Sequence, residues 1–215
     1  MTSAAQTENL ISNLAGQAGT GRLPKPWAFN AILTVAALAS LGISVALVLT
    51  VVGIRPDFAA AVSRAPFAYK IASMLTLGLG ELVLASRAAL PGSGRLTLTA
   101  FLPAVLVLGF HAATDHSGLS MLGNSDISAQ ECVLTILAVS LPPLAIVLGV
   151  MRIGAPTRPA LAGAIAGSLA GALGATAYAL ACKNDAGLFL AIWYPLAILG
   201  MAALGALIGK RALAW

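Results

Sequence analysis

The chain carries two cysteines, Cys132 and Cys182. Sulfur at matched positions can form a reversible disulfide, react with thiol-directed agents or join a metal site. Cys132 falls just inside an apolar run that opens near Glu131, and Cys182 closes another that opens near Ala160. Runs that alternate in direction put both thiols at one level, near the outer end of their spans. A bond then needs neighbouring helices and Cα atoms within about 4.4 to 6.8 Å. Lys183 adjoins Cys182 and Glu131 adjoins Cys132, so the two thiols start from opposite electrostatic surroundings. Free cysteine is also a common small apolar filler; with only two in the chain, both at one level, sensing or structural pairing is favoured over filler.

Other polar residues offer less. His111, Asp115, His116 and Asp126 lie in or beside one loop on the same side, but their spacing matches no specific ligand template. A solvated loop is expected there, and metal ligation stays unassigned. A haem anchor would need paired axial ligands inside the bundle, and His111 is the one histidine at membrane depth. Glu81 is an acid well inside an apolar run, a costly placement, with a buried hydroxyl or Arg87 as its expected partner. One such acid fits a structural or coupling role better than a transport site. Pro142 and Pro143 fall mid-run, where they remove N–H donors and are expected to kink a helix between Cys132 and Arg152. No nucleophile with a base, phosphate-binding loop or dinucleotide-binding glycine motif is present, so neither enzyme activity nor a cofactor is expected.

Position depends on the apolar runs. Hydrophobic residues make up 59% of the 215 residues and charged residues 9%, far from the roughly 25% charged of soluble domains. This predicts an all-α, polytopic membrane protein, because lipid leaves free backbone groups without partners and the alternation of barrel strands is absent. Spans of roughly 20 residues cross a core of about 30 Å. Six are predicted, near Trp27 to Val52, Phe67 to Leu90, Leu96 to Ala112, Glu131 to Met151, Ala160 to Ala181 and Leu188 to Gly209; the third is short. Small residues at Gly163, Gly167 and Gly171, and at Gly205 and Gly209, recur at four-residue spacing and predict close helix contact.

Eight of the twelve Lys and Arg residues (Arg22, Lys25, Arg87, Arg95, Arg152, Arg158, Lys210, Arg211) fall on one side of these spans. The other side holds Arg55, Arg64, Lys70 and Lys183, diluted by acids. The positive-inside rule then places both termini in the cytoplasm, N-in and C-in. The polar stretch before the first span lacks a cleavable signal pattern. Residues 1–26 therefore read as a cytoplasmic segment and 27–215 as a six-helix membrane domain. Within the segment, Ser3 with Gln6 suggests a capping box and Gly16 a stop. Leu10, Ile11 and Leu14 recur at helical spacing. A short helix of this kind is marginal alone in water, and it lacks the basic face of a membrane-surface helix; helix-in-groove docking to a soluble partner is slightly favoured over resting on the bilayer.

Several pieces, in order over the whole length, resemble a known family. They are Thr7-Glu8-Asn9-Leu10-Ile11-Ser12-Asn13-Leu14-Ala15, Gly53-Ile54-Arg55-Pro56-Asp57, Leu141-Pro142-Pro143, Arg158-Pro159, Cys182, Trp193-Tyr194 and the ending from Gly209 to Trp215. The chain resembles the NrsF-type membrane anti-sigma factors, six-helix proteins that hold an extracytoplasmic-function sigma factor at the bacterial inner membrane. The resemblance implies that Leu10, Ile11 and Leu14 lie in the sigma-facing segment and that Cys132 with Cys182 receive an oxidant, a thiol-reactive agent or a heavy metal. It implies a sigma factor and the bilayer as partners, without direct nucleic-acid binding, in a stress response. Two other classes stay open on the residues alone: a small transporter or channel, which needs a polar midplane path, and a membrane anchor of a redox enzyme, which needs paired histidines.

Overall fold

The computed structural model describes residues 4–18, 25–90, 98–115, 118, 123–124 and 127–214. Helix α1 (Ala4–Ala18) comes first, and every side chain from Gln6 to Gly16 is exposed. Gly16 does not stop it: the backbone there keeps a negative φ and the helix runs on to Ala18, because a glycine in a helix interior costs only about 1 kcal/mol. Ser3, the expected cap, lies outside the described residues.

Five helices among the described residues are long and apolar enough to cross a membrane: α2 (Pro26–Val51), α4 (Ala65–Ala89), α6 (Ala129–Ile153), α7 (Pro159–Tyr178) and α8 (Gly187–Ala212). Prolines at the first or second helical position open α2, α4 and α7, where the missing N–H costs nothing. A single turn, α3 (Phe58–Ala61), lies between α2 and α4. The expected third span differs. It begins as a 3-10 turn over Leu98–Phe101 and becomes α5 only at Leu102–Ala113. Twelve helical residues rise about 18 Å, short of the hydrocarbon core of about 30 Å. Pro103, near the helix start, fixes φ and cannot donate, so the α-helix begins beside it; Leu96, where the span is expected to open, lies outside the described residues. Two-residue strands β1 (Gly123–Asn124) and β2 (Ile127–Ser128) pair antiparallel just before α6; the rest of the described secondary structure is helical.

Helix α7 is the hub, packed against α8, α6, α4 and α2. A Cβ added at Gly163 would strike the Gly205 carbonyl, one at Gly167 the Met201 carbonyl, and one at Gly209 the Gly163 Cα at 2.7 Å. Lipid supplies no hydrophobic drive between spans, so backbone approach of this kind carries the contact. Helix α6 continues through both prolines. Pro143 has no N–H for the Val139 carbonyl four residues back, and Ser44 of α2 donates to that carbonyl instead, at 2.9 Å. The proline's defect becomes a tie between two helices.

The core has two halves. One gathers Phe29, Leu33, Ala89, Met151, Ala162 and Leu213. The other gathers Val48, Met74, Cys132, Tyr178, Cys182 and Tyr194. The first half therefore collects the start of α2, the ends of α4, α6 and α8 and the start of α7. The second collects their opposite ends.

Candidate functional site

The second end is closed by a charged cluster built from four segments. Gly53, at φ +84°, ends α2 by donating to the Val48 carbonyl at 2.9 Å, a left-handed stop open to glycine at little cost. The chain then turns Arg55 inward, where it is 3% exposed. Its Nε and Nη2 donate to the two carboxylate oxygens of Asp57 at 2.8 and 3.0 Å, a two-pronged geometry that Arg alone provides. Its Nη1 donates to Asp185 at 2.9 Å and to the Cys182 carbonyl at 3.2 Å. Burial opposes the Arg55 charge, but the hydrogen bonds to Asp57 and Asp185 outweigh it and raise its pKa. The Asp57 carboxyl is held below the usual range, first by the hydrogen bond from Arg55.

Lys70, in the second turn of α4, is fully buried. Its ammonium donates to the carbonyls of Cys182 and Asn184, each at 2.9 Å, and to Asp185 at 3.1 Å, using all three donors of the group. It also lies 6.0 Å from the Tyr194 ring centroid. The His111 ring at the end of α5 meets the Asp185 carbonyl at 3.1 Å. The segment from Cys182 to Asp185 thus presents its backbone carbonyls to two cations, Arg55 from the connection after α2 and Lys70 from α4. Asn184 folds its side chain onto the Ala186 N–H at 3.0 Å, and Asp115 accepts from the Leu188 N–H at 3.2 Å, in the unpaired first turn of α8.

Both cysteines sit beneath this cluster, reduced and buried, at 0% exposure for Cys132 and 2% for Cys182. Cys132 lies within electrostatic reach of both Cys182 and Lys70. The Cys182 S–H points to the Asn184 carbonyl at 3.7 Å. The Tyr194 hydroxyl faces the Cys182 thiol but meets no partner in good hydrogen-bond geometry among the described residues. Lys183 is exposed, and the buried cation within reach of Cys132 is Lys70, from another helix. Glu131 is exposed and engaged elsewhere: it closes a capping box with Ser128, which accepts from the Glu131 N–H at 3.1 Å and receives the carboxylate on its own N–H at 3.3 Å.

The remaining expected residues fall in separate places. Glu81 is 3% exposed, faces the Ser168 hydroxyl of α7, and leaves Oε2 without a partner among the described residues. Leu10, Ile11 and Leu14 of α1 are 59%, 61% and 55% exposed. His116 and Asp126 lie outside the described residues, among which no group of three or more His, Cys, Asp and Glu could hold a metal ion. Sequence reasoning placed Arg55, Lys70 and Asp185 merely as outer-side charges. The signal that marks them is a lysine inside an apolar span whose side of the membrane also supplies Gly-Ile-Arg-Pro-Asp and Lys183-Asn184-Asp185.

The comparisons with known proteins cover nearly the whole chain. A family model described as negative regulator of sigma F, NrsF, matches residues 18–215. The anti-sigma-F factor NrsF of Caulobacter vibrioides is 34% identical over 221 aligned positions, covering 98% of this chain and all of that protein. A probable anti-sigma-F factor NrsF of Azospira oryzae is 33% identical over 219, with the same coverage. No solved structure matches.

Proposed function

The chain belongs to the NrsF family of negative regulators of sigma F, and from that membership we propose that it is a membrane-bound anti-sigma factor with a regulatory, non-enzymatic role. It holds a sigma factor of the extracytoplasmic-function type at a bacterial inner membrane through α1 and releases it when Cys132 and Cys182 react. The observation that carries the docking half is the exposure of Leu10, Ile11 and Leu14 on a helix whose described side chains meet solvent throughout. An apolar stripe of that kind is stabilised by a groove on a partner.

The orientation has both termini inside. Arg152, Arg158, Lys210 and Arg211 flank the end of the bundle where α2 begins, whereas Asp57, Asp115, Glu131 and Asp185 collect at the thiol end, which supports an inward positive end. Six crossings are part of the proposal, with the Leu98–Ala113 segment as the short one.

The sensing half rests on two buried thiols under one ionic clamp. A thiol-directed oxidant takes two electrons from the pair, two protons leave, and the Cys132–Cys182 bond forms; a soft heavy metal bridges the same sulfurs after the protons leave. Either event displaces the segment that Lys70 and Arg55 hold, and α6, with Pro142 and Pro143 between Cys132 and Arg152, carries the change to the opposite end. Glu81, packed between α4 and α7, is a second coupling point on the way.

The test is co-purification from the native host, with and without residues 1–26. A sigma factor retained by the full chain, lost on truncation, and released by oxidant unless both cysteines are changed to Ser is the expected result. No sigma factor with either form under reducing conditions overturns the reading.

A further inference from the structure

Tyr194, two turns into α8, is fully buried, and its hydroxyl has no hydrogen-bond partner among the described residues. A buried hydroxyl without a partner is destabilising, and native interiors rarely keep one without a use for it. The ring itself is well held. It lies 6.4 Å from the Tyr178 ring, the Lys70 ammonium stands 6.0 Å from its centroid, and the core around it includes Cys132 and Cys182. Held in this way, the hydroxyl faces the Cys182 thiol.

Sulfur chemistry accounts for the idle hydroxyl. A thiol is a weak acceptor, and the Cys182 S–H is turned to the Asn184 carbonyl at 3.7 Å, so the reduced protein puts no strong acceptor in front of Tyr194. Loss of the thiol proton changes this, because a hydrogen bond to an ionised acceptor is about twice as strong as one between neutral groups. A donor already in place needs no rearrangement when that charge appears. The Asn184 carbonyl is not orphaned in turn, since it keeps the Lys70 ammonium at 2.9 Å. The other charged and titratable groups around this sulfur, among the described residues, are Cys132 of α6, Tyr178 of α7, Lys70 of α4, and Arg55, Asp185 and His111 of the clamp. The hydrogen bonds of Lys70 and Arg55 go to carbonyl and carboxylate oxygens, which leaves the Tyr194 hydroxyl as the donor for the sulfur.

We propose that Tyr194 selects Cys182 as the thiol that ionises and reacts first, its hydroxyl donating to the sulfur once the S–H proton has left. The proposal rests on the reading above that the two thiols react, and it assigns their order. With a hydroperoxide as oxidant, the Cys182 thiolate attacks one peroxide oxygen: an S–O bond forms, the O–O bond breaks, and the departing hydroxide takes up the proton the thiol gave, leaving as water. The Cys132 thiol then attacks the Cys182 sulfur, the S–S bond forms, and the hydroxyl on that sulfur leaves with the Cys132 proton as a second water.

The test follows a single thiol. The full detergent-purified chain carrying Cys132→Ser is exposed to hydrogen peroxide for timed intervals, freed of peroxide, unfolded, and its remaining Cys182 thiol counted with maleimide. One hydrogen bond to a charged group changes the thiolate population on the order of 10- to 100-fold, and the more basic thiolate that remains is the stronger nucleophile. Adding Tyr194→Phe, which keeps the ring and removes only the hydroxyl, should therefore slow consumption near pH 7 by about fivefold. The two rates should converge as rising pH ionises the thiol in both proteins, and the melting temperature should not fall, since the hydroxyl has no partner in the reduced state. Tyr178→Phe, at the neighbouring ring, should change the rate by less than about twofold, and the Cys132 thiol of Cys182→Ser protein should be consumed more slowly than the Cys182 thiol of Cys132→Ser protein. A Tyr194→Phe rate equal to its parent's overturns the proposal, as does an equal fall with Tyr178→Phe, a difference that persists at every pH, or a Cys132 that reacts faster than Cys182. Each of these leaves the thiol reading standing. A Cys132 and a Cys182 that peroxide leaves untouched in both single-cysteine proteins overturn the thiol reading and the proposal together.

Discussion

Replacing Lys70 with Met should open access to Cys182. The ammonium is fully buried and holds three acceptors on the 182–185 segment. Breaking one member of a buried ion pair costs about 3 to 5 kcal/mol. Here Asp185 keeps Arg55 at 2.9 Å and the Cys182 carbonyl keeps the same guanidinium at 3.2 Å, whereas the Asn184 carbonyl is left with the thiol at 3.7 Å. Retention of Arg55 puts the loss at the lower end, about 3 kcal/mol. If it falls on local opening of that segment, the open population rises on the order of 100-fold, at about 1.4 kcal/mol per tenfold. The assay is the rate of maleimide labelling of Cys182 in a Cys132→Ser background under reducing conditions, where labelling tracks the open population because reclosing outruns reaction. A rise in the rate therefore reports access to the thiol. A labelling rate within about threefold of the parent, in protein whose helical circular dichroism is unchanged, refutes the clamp as the gate over this thiol.

Three further outcomes follow from the packing. Ser44→Ala orphans the Val139 carbonyl that Pro143 leaves without a helical donor, and should cost about 1 to 2 kcal/mol of unfolding free energy in detergent, within the measured range of interhelical hydrogen bonds in membranes; no change would mean that water or a shifted backbone satisfies that carbonyl. Gly167→Ala drives a methyl group against the Met201 backbone and should destabilise the α7–α8 pair by about 1 to 3 kcal/mol, read as a lowered melting temperature, whereas Gly149→Ala, where an added Cβ meets nothing within 4 Å, should not. Asp57 has its folded pKa lowered by Arg55, so its contribution is fully present above the ordinary carboxylate value of about 3.9 and is lost as the pH falls through the folded value; Asp57→Asn should flatten the acid limb of the stability profile and leave its shape from pH 5 to 8 unchanged.

The spans were legible because lipid turns one simple rule into structure: long apolar runs must be helices, and α2, α4, α6, α7 and α8 end within three residues of where the hydrophobicity ends. The glycine spacing on α7 and α8 likewise pointed to their contact. What misled was punctuation. Gly16 looked like a stop although nothing in a solvent-exposed helix requires one, and the third apolar run hid a proline beside which the 3-10 turn over Leu98–Phe101 gives way to the α-helix at Leu102. The level shared by Cys132 and Cys182 was readable from alternating direction, but their burial was not, since it depends on Arg55, Lys70 and Asp185 meeting across 130 residues of chain. A charge in a sequence carries no mark of whether it faces water or a partner from another helix; only the cost of an unpaired lysine inside an apolar span hints that a partner exists.

The central claim is that α1 holds a sigma factor by its apolar stripe, and the most direct measurement is the affinity of that sigma factor for the full chain in lipid nanodiscs, against the same chain carrying Leu10→Glu, Ile11→Glu and Leu14→Glu. All three side chains are more than half exposed, so the substitutions leave the bundle intact and isolate the contact. Burying an aliphatic side chain is worth about 1.5 to 3 kcal/mol, so three charged replacements should weaken binding by at least 100-fold. An affinity within threefold of the parent would place the sigma-binding surface elsewhere on the chain and contradict the account.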